Sequence, residues 1–198
     1  MGDNKKIFFM IPKRVFLALP LQPVEPAAEI MIRLQKRLSN YRIKWVSSAN
    51  FHLTLYFFGE IPVPRIASLC ELLPVAIKSQ APIKFSLTGP GIFRKGKEPQ
   101  VLWLGIEDFG PMSELKQTID QSASALGFLT EDKVFRPHLT MGRFMPRQEV
   151  GSGLDLLLNE EKLSAPIAYT VSKLILFESK LSPAGPSYFP LEVFPLIS

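Results

Sequence analysis

The sequence has 198 residues, of which 46% are hydrophobic and 21% are charged, a balance typical of an ordered globular protein and not of a disordered one. No run of about eighteen apolar residues occurs, so we expect no membrane-spanning helix and no membrane partner. The formal net charge of +5 favours an anionic partner. The single cysteine, Cys70, excludes an internal disulfide and favours a cytoplasmic location.

The apolar run near the N-terminus, residues 7–11, is too short for a secretory signal because Pro12, Lys13 and Arg14 interrupt it. We expect residues 1–6 to be flexible. No Pro/Gly-rich linker divides the chain, so residues 1–198 are predicted to form a single two-lobed domain, which we expect to be a monomer.

Hydrophobic periodicity predicts alternating strands and helices in the first half of the chain. The strands are predicted at residues 15–19, 51–58 and 83–93, the last with a Gly-Pro-Gly turn inside it. Helices are predicted at residues 25–38, with Pro26 in the first turn, and at residues 65–77, where Pro74 should kink or shorten the helix.

The second half repeats much of this pattern. Strands are predicted at residues 101–106, 138–144, 167–177 and 188–194, and a helix begins at Pro111 and ends at Gly127. A short helix is predicted within residues 148–162. Two similar units in one domain favour a pseudo-symmetric α+β protein with a cleft between its sheets.

The only two histidines of the chain lie in two copies of one motif: His52-Leu53-Thr54 and His138-Leu139-Thr140. Side chains alternate between the two faces of a strand, so each histidine shares a face with its threonine while the leucine points the other way. Threonine occupies only six positions of the sequence, so its place two residues after both histidines is not what chance would give.

This set of groups suits attack on a phosphodiester. Histidine titrates near neutrality, so one imidazole can accept a proton while the other donates one. The threonine hydroxyls can donate hydrogen bonds to phosphate oxygens, where negative charge concentrates in the transition state. No carboxylate stands at a ligand-like spacing from the histidines, and Cys70 lies in an apolar helical pattern, so no metal and no cofactor are predicted.

At these residues the chain resembles the two-histidine (2H) phosphoesterase superfamily and, within it, the LigT-like RNA 2′,3′-cyclic phosphodiesterases. Residues 14–19 resemble the opening strand of that family, residues 52–60 its first motif and residues 135–143 its second. Residues 177–188, which include Gly185 and Tyr188, resemble its closing hairpin. The paired motifs are specific to the superfamily, whereas the flanks and the tail point to the LigT-like branch.

The resemblance implies two pseudo-symmetric lobes, each an antiparallel sheet backed by helices, with the histidines on a central cleft. It also implies hydrolysis of a 2′,3′-cyclic phosphate, on an RNA end or a cyclic nucleotide, to a 2′-phosphomonoester. One histidine would activate water and the other would protonate the departing 3′ oxygen. The motifs leave that assignment open, with a lean towards His138 as base and His52 as acid. Thr54 and Thr140 would hold the phosphate, and tRNA fragments are among the substrates allowed.

Arg143 is a further candidate phosphate ligand because it ends the second motif. Strict alternation, however, places it on the face opposite His138 unless Gly142 permits a bulge. A structural ion pair is the other interpretation of Arg143.

Three more residues are candidates for the cleft wall. Arg136 lies two residues before His138, so it would point to the same face of the strand. Pro137 disturbs that strand, however, and the alternative is that Arg136 is a solvated cation. Phe16 could stack on a base or pack in the core. Tyr56 lies in phase with His52. The basic segment at residues 94–97 is either a solvated hairpin tip or a contact to an RNA backbone.

Two other functions stay open. The reverse reaction would join RNA ends, such as tRNA halves, through a 2′–5′ linkage, and product analysis would distinguish it. A non-catalytic RNA- or nucleotide-binding module would keep its binding, but show no turnover, when both histidines are replaced.

Overall fold

The structure is a computed structural model that describes residues 11–107, 109–129, 134–147, 153–183 and 185–197. These residues form nine β-strands, four α-helices and a short 3-10 helix at Ser48–Asn50. The segment predicted to be flexible, residues 1–6, lies outside the described residues. Within these ranges, none of the helices has the length and apolar character needed to cross a membrane.

Four strands form the first sheet, sheet A: β1 (Lys13–Pro20), β3 (His52–Ile61), β8 (Lys173–Ser182) and β9 (Gly185–Pro195). Their order is β3-β1-β8-β9, and all neighbours are antiparallel. The strand that carries the first motif, β3, therefore lies at an edge of sheet A.

Five strands form the second sheet, sheet B: β2 (Ile43–Trp45), β4 (Ile83–Lys95), β5 (Glu98–Glu107), β6 (His138–Phe144) and β7 (Ile167–Val171). Their order is β2-β6-β5-β4-β7, again antiparallel throughout. The second motif lies on β6, which contacts β3 of sheet A. The two motifs thus meet where the sheets approach each other.

The two lobes are not the two halves of the sequence. Sheet A takes β1 and β3 from the first half and β8 and β9 from the C-terminal end, while sheet B takes strands from both halves. The α+β fold of two antiparallel sheets is confirmed, but each lobe is assembled by a chain that passes from one sheet to the other.

The helices are α1 (Glu25–Arg37), α2 (Val63–Ala76), α3 (Gly110–Ala125) and α4 (Gly153–Glu160). In α1, Glu25 lies in the first turn and Arg37 in the last, an arrangement that complements the helix dipole. Beyond α3, Gly127 has φ +72°, a conformation that glycine adopts without strain. Helix α3 contacts both β3 and β4, and so connects the two sheets.

The apolar faces of the motif strands lie in the core, as predicted. Leu53 and Leu55 on β3, and Leu139 and Met141 on β6, are all at most 2% exposed. Their burial orients the opposite face of each strand, which carries the histidine and threonine, towards the cleft.

Two predicted interruptions are not found. Helix α2 continues through Pro74 and ends two residues later, at Ala76. The Gly-Pro-Gly segment does not form a turn: β4 runs through it, with a shift of register between Leu87 and Pro90.

The single strand predicted at residues 167–177 is two strands in different sheets. β7 pairs with β4 in sheet B, whereas β8 pairs with β1 in sheet A, and Ser172 lies between them. A continuous apolar pattern does not reveal where the chain leaves one sheet for another. The three-residue strand β2 was not predicted either.

Gly91 provides a test of packing in sheet B. A Cβ atom there would lie 2.3 Å from the indole ring of Trp103, which packs against Phe93. We expect Gly91→Ala to lower the free energy of unfolding by about 1–3 kcal/mol, because the ring must move. Chemical denaturation measures this. In the control, Gly110→Ala, the new Cβ meets nothing within 4 Å. Equal stability of the two variants would contradict the packing.

Candidate active site

One cleft brings both motifs together. His52, Thr54, His138 and Thr140 all line a cavity of about 830 Å³ between the sheets. The first pair comes from sheet A and the second from sheet B. The structure therefore places the four candidate catalytic and phosphate-binding side chains around one space.

A β-bulge follows each His-Leu-Thr motif. In β3, Thr54 and Tyr56 pair with neighbouring residues of β1, so Leu55 between them has no partner there. In β6, Thr140 and Gly142 pair with neighbouring residues of β5, which leaves Met141 as the extra residue. An extra residue reverses the alternation of faces beyond it.

The bulges bring one further side chain from each strand into the cleft. Phe57 of β3 and Arg143 of β6 both line it, on the same face as the histidines. They occupy equivalent places, five residues after His52 and His138. From the sequence, Arg143 could share the face of His138 only if a bulge formed near Gly142, and the structure contains that bulge.

The same hydrogen bond orients both imidazoles. The Nδ1 atom of His52 lies 2.7 Å from the carbonyl oxygen of Asn50, and Nδ1 of His138 lies 2.9 Å from that of Arg136. A carbonyl only accepts, so each Nδ1 carries the hydrogen and donates it. In the neutral ring, Nε2 then has a free lone pair, which is the form that a base needs.

The surroundings of the two rings differ. The His52 ring contacts Phe16 and Tyr188, with ring centroids 5.0 and 5.1 Å away, and Phe177 lies farther off at 6.4 Å. The His138 ring has an edge-on contact with Phe93 at 4.7 Å. His52 is thus the more enclosed imidazole.

Burial is the largest cause that lowers the pKa of His52 and of His138 below the usual value of 6.5. The hydrogen bond from each Nδ1 to a backbone carbonyl opposes that shift. Arg143 lowers the pKa of both imidazoles, and the charge of His138 also lowers the pKa of His52. Both rings are therefore predominantly neutral at pH 7 when the cleft is empty.

Among the residues that the structure describes, three cations line the cleft, Arg14, Lys44 and Arg143, and no carboxylate does. None of the three forms an ion pair within the described part of the chain. The Arg14 guanidinium lies over the Phe57 ring, 4.5 Å from its centroid. The cleft thus has uncompensated positive charge, which attracts an anion.

Phe16 is only 3% exposed, yet it forms part of the cleft wall, where its ring supports His52. Two other predicted wall residues lie elsewhere. Tyr56 is buried, and its hydroxyl donates to the carbonyl oxygen of Leu129, because the bulge at Leu55 turns it away from the cleft. The side chain of Arg136 lies outside the cavity lining, and only its carbonyl serves the site.

The basic hairpin tip, residues 94–97, does not line the cleft either. Arg94 forms two hydrogen bonds to the carboxylate of Asp155 on α4, at 2.8 and 3.0 Å. The charge of Arg94 is thus paired with a carboxylate of the same fold.

Sequence reasoning missed Phe57, Phe93, Tyr188 and Lys44 as site residues. Phe57 depends on the bulge, and Phe93 and Tyr188 reach the histidines through strand pairings that are distant in sequence. Tyr188 was noted only as part of a family-like hairpin. Lys44 lies on β2, which was too short to predict.

The donor set offers little to a metal ion. In the described ranges, no three His, Cys, Asp or Glu side chains lie close enough to share one. The described part of the cleft lining offers two imidazoles and hydroxyls, without the carboxylates that would complete a typical ligand set.

The geometry agrees with comparisons to known proteins. The sequence profile of the "LigT like Phosphoesterase" family matches residues 18–103 and 107–188. The chain belongs to the LigT-like phosphoesterase family. This confirms the family expected from the paired motifs, and the match includes both of them.

Relatives named "RNA 2′,3′-cyclic phosphodiesterase" are similar over almost their whole length. The one from Thermotoga maritima is 32% identical over 177 residues, which cover 88% of this chain and 91% of the relative. The one from Methanothermobacter thermautotrophicus is 32% identical over 186 residues, 92% of this chain and 98% of the relative.

Two solved structures have a similar fold. The protein TT0787 of Thermus thermophilus superposes with a TM-score of 0.74 at 27% identity, covering 92% of this chain and 97% of that protein. Escherichia coli LigT, in a complex with 3′-AMP, also gives a TM-score of 0.74, at 24% identity, with 94% and 99% covered.

The pKa directions predict the pH dependence of activity. One imidazole must be neutral and the other protonated, so kcat/KM should follow a bell-shaped profile with its maximum below pH 6.5, since both pKa values are lowered from 6.5. In Arg143→Gln both limbs should move to higher pH, because removal of the cation raises both pKa values. Rates measured across pH with a 2′,3′-cyclic nucleotide test this.

The control is Lys84→Gln, which removes an exposed cation from sheet B outside the cleft lining. The pH dependence of kcat/KM in this variant should equal that of the unchanged protein. An unmoved profile in Arg143→Gln would show that Arg143 does not act on the histidines.

Proposed function

We propose that this protein hydrolyses the 2′,3′-cyclic phosphate at the 3′ end of RNA to a 2′-phosphomonoester, using His52 and His138 as the acid–base pair. The observation that carries the proposal is the pairing itself: two imidazoles, each oriented by a carbonyl two residues upstream, face one cleft lined by cations. In-line displacement at phosphorus needs a proton acceptor on one side and a proton donor on the other.

In the proposed reaction, Nε2 of His138 accepts a proton from water while the water oxygen attacks phosphorus. The bond between phosphorus and the 3′ oxygen breaks, and the Nε2 hydrogen of His52 is transferred to that oxygen. The products are a 2′-phosphomonoester and a free 3′ hydroxyl. The proton count balances because one imidazole gains the proton that the other loses.

The different enclosure of the rings supports this assignment. Water reaches His138 more readily, because aromatic rings surround His52. The lowered pKa of His52 makes its protonated form a stronger acid. The negative charge of the bound phosphate raises that pKa again, and so supplies the proton where the reaction uses it.

Thr54, Thr140 and Arg143 are proposed to bind the non-bridging phosphate oxygens. The hydroxyl and guanidinium groups donate hydrogen bonds there and stabilise the charge of the transition state. All three line the cleft beside the histidines, so they are placed to contact the same phosphate.

RNA is the proposed substrate because the relatives that match along nearly the full chain are named for it, and because the cleft is cationic. The single free thiol, Cys70, is consistent with the proposed cytoplasmic location. Fragments of tRNA and cyclic nucleotides are proposed as substrates of the same chemistry, for a protein that acts as a monomer.

Replacing each histidine tests the function. We expect His52→Ala and His138→Ala each to lower kcat/KM on a 2′,3′-cyclic nucleotide by about 10²- to 10⁴-fold, the usual contribution of one acid or base. Activity of the unchanged protein should survive EDTA, and phosphorus NMR should show a 2′-monoester. Thermal melting verifies that the variants fold.

Full activity in both alanine variants would refute the proposal. A new 2′–5′ linkage formed between two RNA ends would instead identify ligation as the reaction.

A modified substrate separates acid from base. When sulfur replaces the 3′ bridging oxygen of the cyclic phosphate, the leaving thiolate needs no proton. We expect His52→Ala to retain activity within about tenfold on this substrate, whereas His138→Ala stays impaired by about 10²-fold or more. Rescue of His138→Ala instead would reverse the two roles.

A further inference from the structure

The cleft continues beyond the two histidines towards the tip of the β8–β9 hairpin. Lys44, Leu181, Ser182 and Pro186 line this part, which we call the outer subsite. None of these residues is needed for the proposed acid–base chemistry. The outer subsite therefore requires its own explanation.

Lys44 lies one strand farther from His138 than Arg143 does. Arg143 shares β6 with His138, whereas Lys44 lies on the edge strand β2, directly opposite Arg143 in register. Directly opposed residues point to the same face of a sheet, about 5 Å apart, and like charges in that position repel each other. An anion bound there would relieve the repulsion.

Lys44 also reaches across the cleft. Its Nζ donates a hydrogen bond to the carbonyl oxygen of Pro183, at 3.0 Å, in the β8–β9 turn. That is the one hydrogen bond it forms within the described residues, where it has no carboxylate partner. An ammonium group has three donors, so two are available to a phosphate.

An apolar surface lies beside this cation. Leu181 and Pro186 are directly opposed in the β8–β9 pair, and Leu181 is 68% exposed. Farther along the same pair towards His52, the opposed residues Ser179 and Tyr188 also line the cleft. An apolar platform next to a cation without a carboxylate partner matches the two parts of a nucleotide, since a base has an apolar face and its phosphate is an anion.

We propose that the outer subsite binds the nucleotide that precedes the cyclic phosphate in an RNA strand, with Lys44 on the connecting phosphate and the base against Leu181 and Pro186. A 2′,3′-cyclic phosphate closes the 3′ end of a strand, so every further nucleotide is attached on the 5′ side. This inference rests on the proposed function and specifies its preferred substrate as an RNA end of at least two nucleotides.

The test compares two substrates that end in the same cyclic-phosphate nucleotide, one a mononucleotide and one a dinucleotide. The unchanged protein should show a kcat/KM at least about fivefold higher for the dinucleotide. Lys44→Met should reduce that ratio by about fivefold, the size expected of one partly exposed ion pair. Methionine keeps most of the side-chain volume, and Lys44→Arg should keep most of the preference.

The matched control is Lys84→Met, the same substitution on sheet B outside the cleft lining. It should leave both rates unchanged. An unchanged protein without a preference for the dinucleotide, or a Lys44→Met variant that loses activity equally on both substrates, would overturn the outer subsite.

Failure of the proposed function is distinguishable from failure of the subsite. If neither substrate is turned over, the hydrolase assignment fails, and equilibrium binding then decides the subsite. The probes are a dinucleotide and a mononucleotide that each end in a 3′-phosphate. Tighter binding of the dinucleotide, reduced about fivefold by Lys44→Met, supports the subsite. Equal binding of the two probes overturns it.

Discussion

The active site depends on one constraint, an extra residue in each motif strand. Regular alternation would place Tyr56 and Gly142 on the cleft face after each histidine and threonine. The bulges at Leu55 and Met141 leave those pairs in place and reverse the alternation immediately afterwards. Phe57 and Arg143 then join the same surface, while apolar side chains on the other face stay buried, Leu53 and Tyr56 in β3 and Leu139 and Phe144 in β6.

The burial that orients the histidines also changes their acidity. Each ring is fixed by a short hydrogen bond from Nδ1, and enclosure lowers both pKa values, which favours the neutral form of both imidazoles in the empty cleft. Arg143 lowers them further. A bound phosphate has the opposite effect, because its negative charge offsets the arginine and favours a protonated imidazole. The proposed reaction thus couples binding to protonation: its acid would form in the complex that needs it.

The sequence predicts those parts of the site that follow from strict periodicity and fails where periodicity changes. Histidine, threonine and leucine were assigned to the correct faces because the motifs precede the bulges. Tyr56, only one residue beyond a bulge, was assigned to the wrong face. The local pattern also does not identify the sheet to which a strand belongs. Residues 167–177 have one continuous apolar pattern, yet Ser172 divides them between two sheets. Pairing between distant strands decides such points, and a local pattern does not contain that information.

The pseudo-symmetry of the cleft breaks at the equivalent positions after the bulges. Sheet A presents Phe57 there, covered by the Arg14 guanidinium, whereas sheet B presents Arg143 with Lys44 beside it. A symmetric pair of motifs can bind a phosphate in either direction, since both offer an imidazole and a hydroxyl. A ring covered by one cation on one side and two adjacent cations on the other cannot be exchanged, so the cleft itself is asymmetric. In the proposed reaction it is this asymmetry, and not a difference between the motifs, that would determine which histidine faces the attacking water and which faces the departing 3′ oxygen.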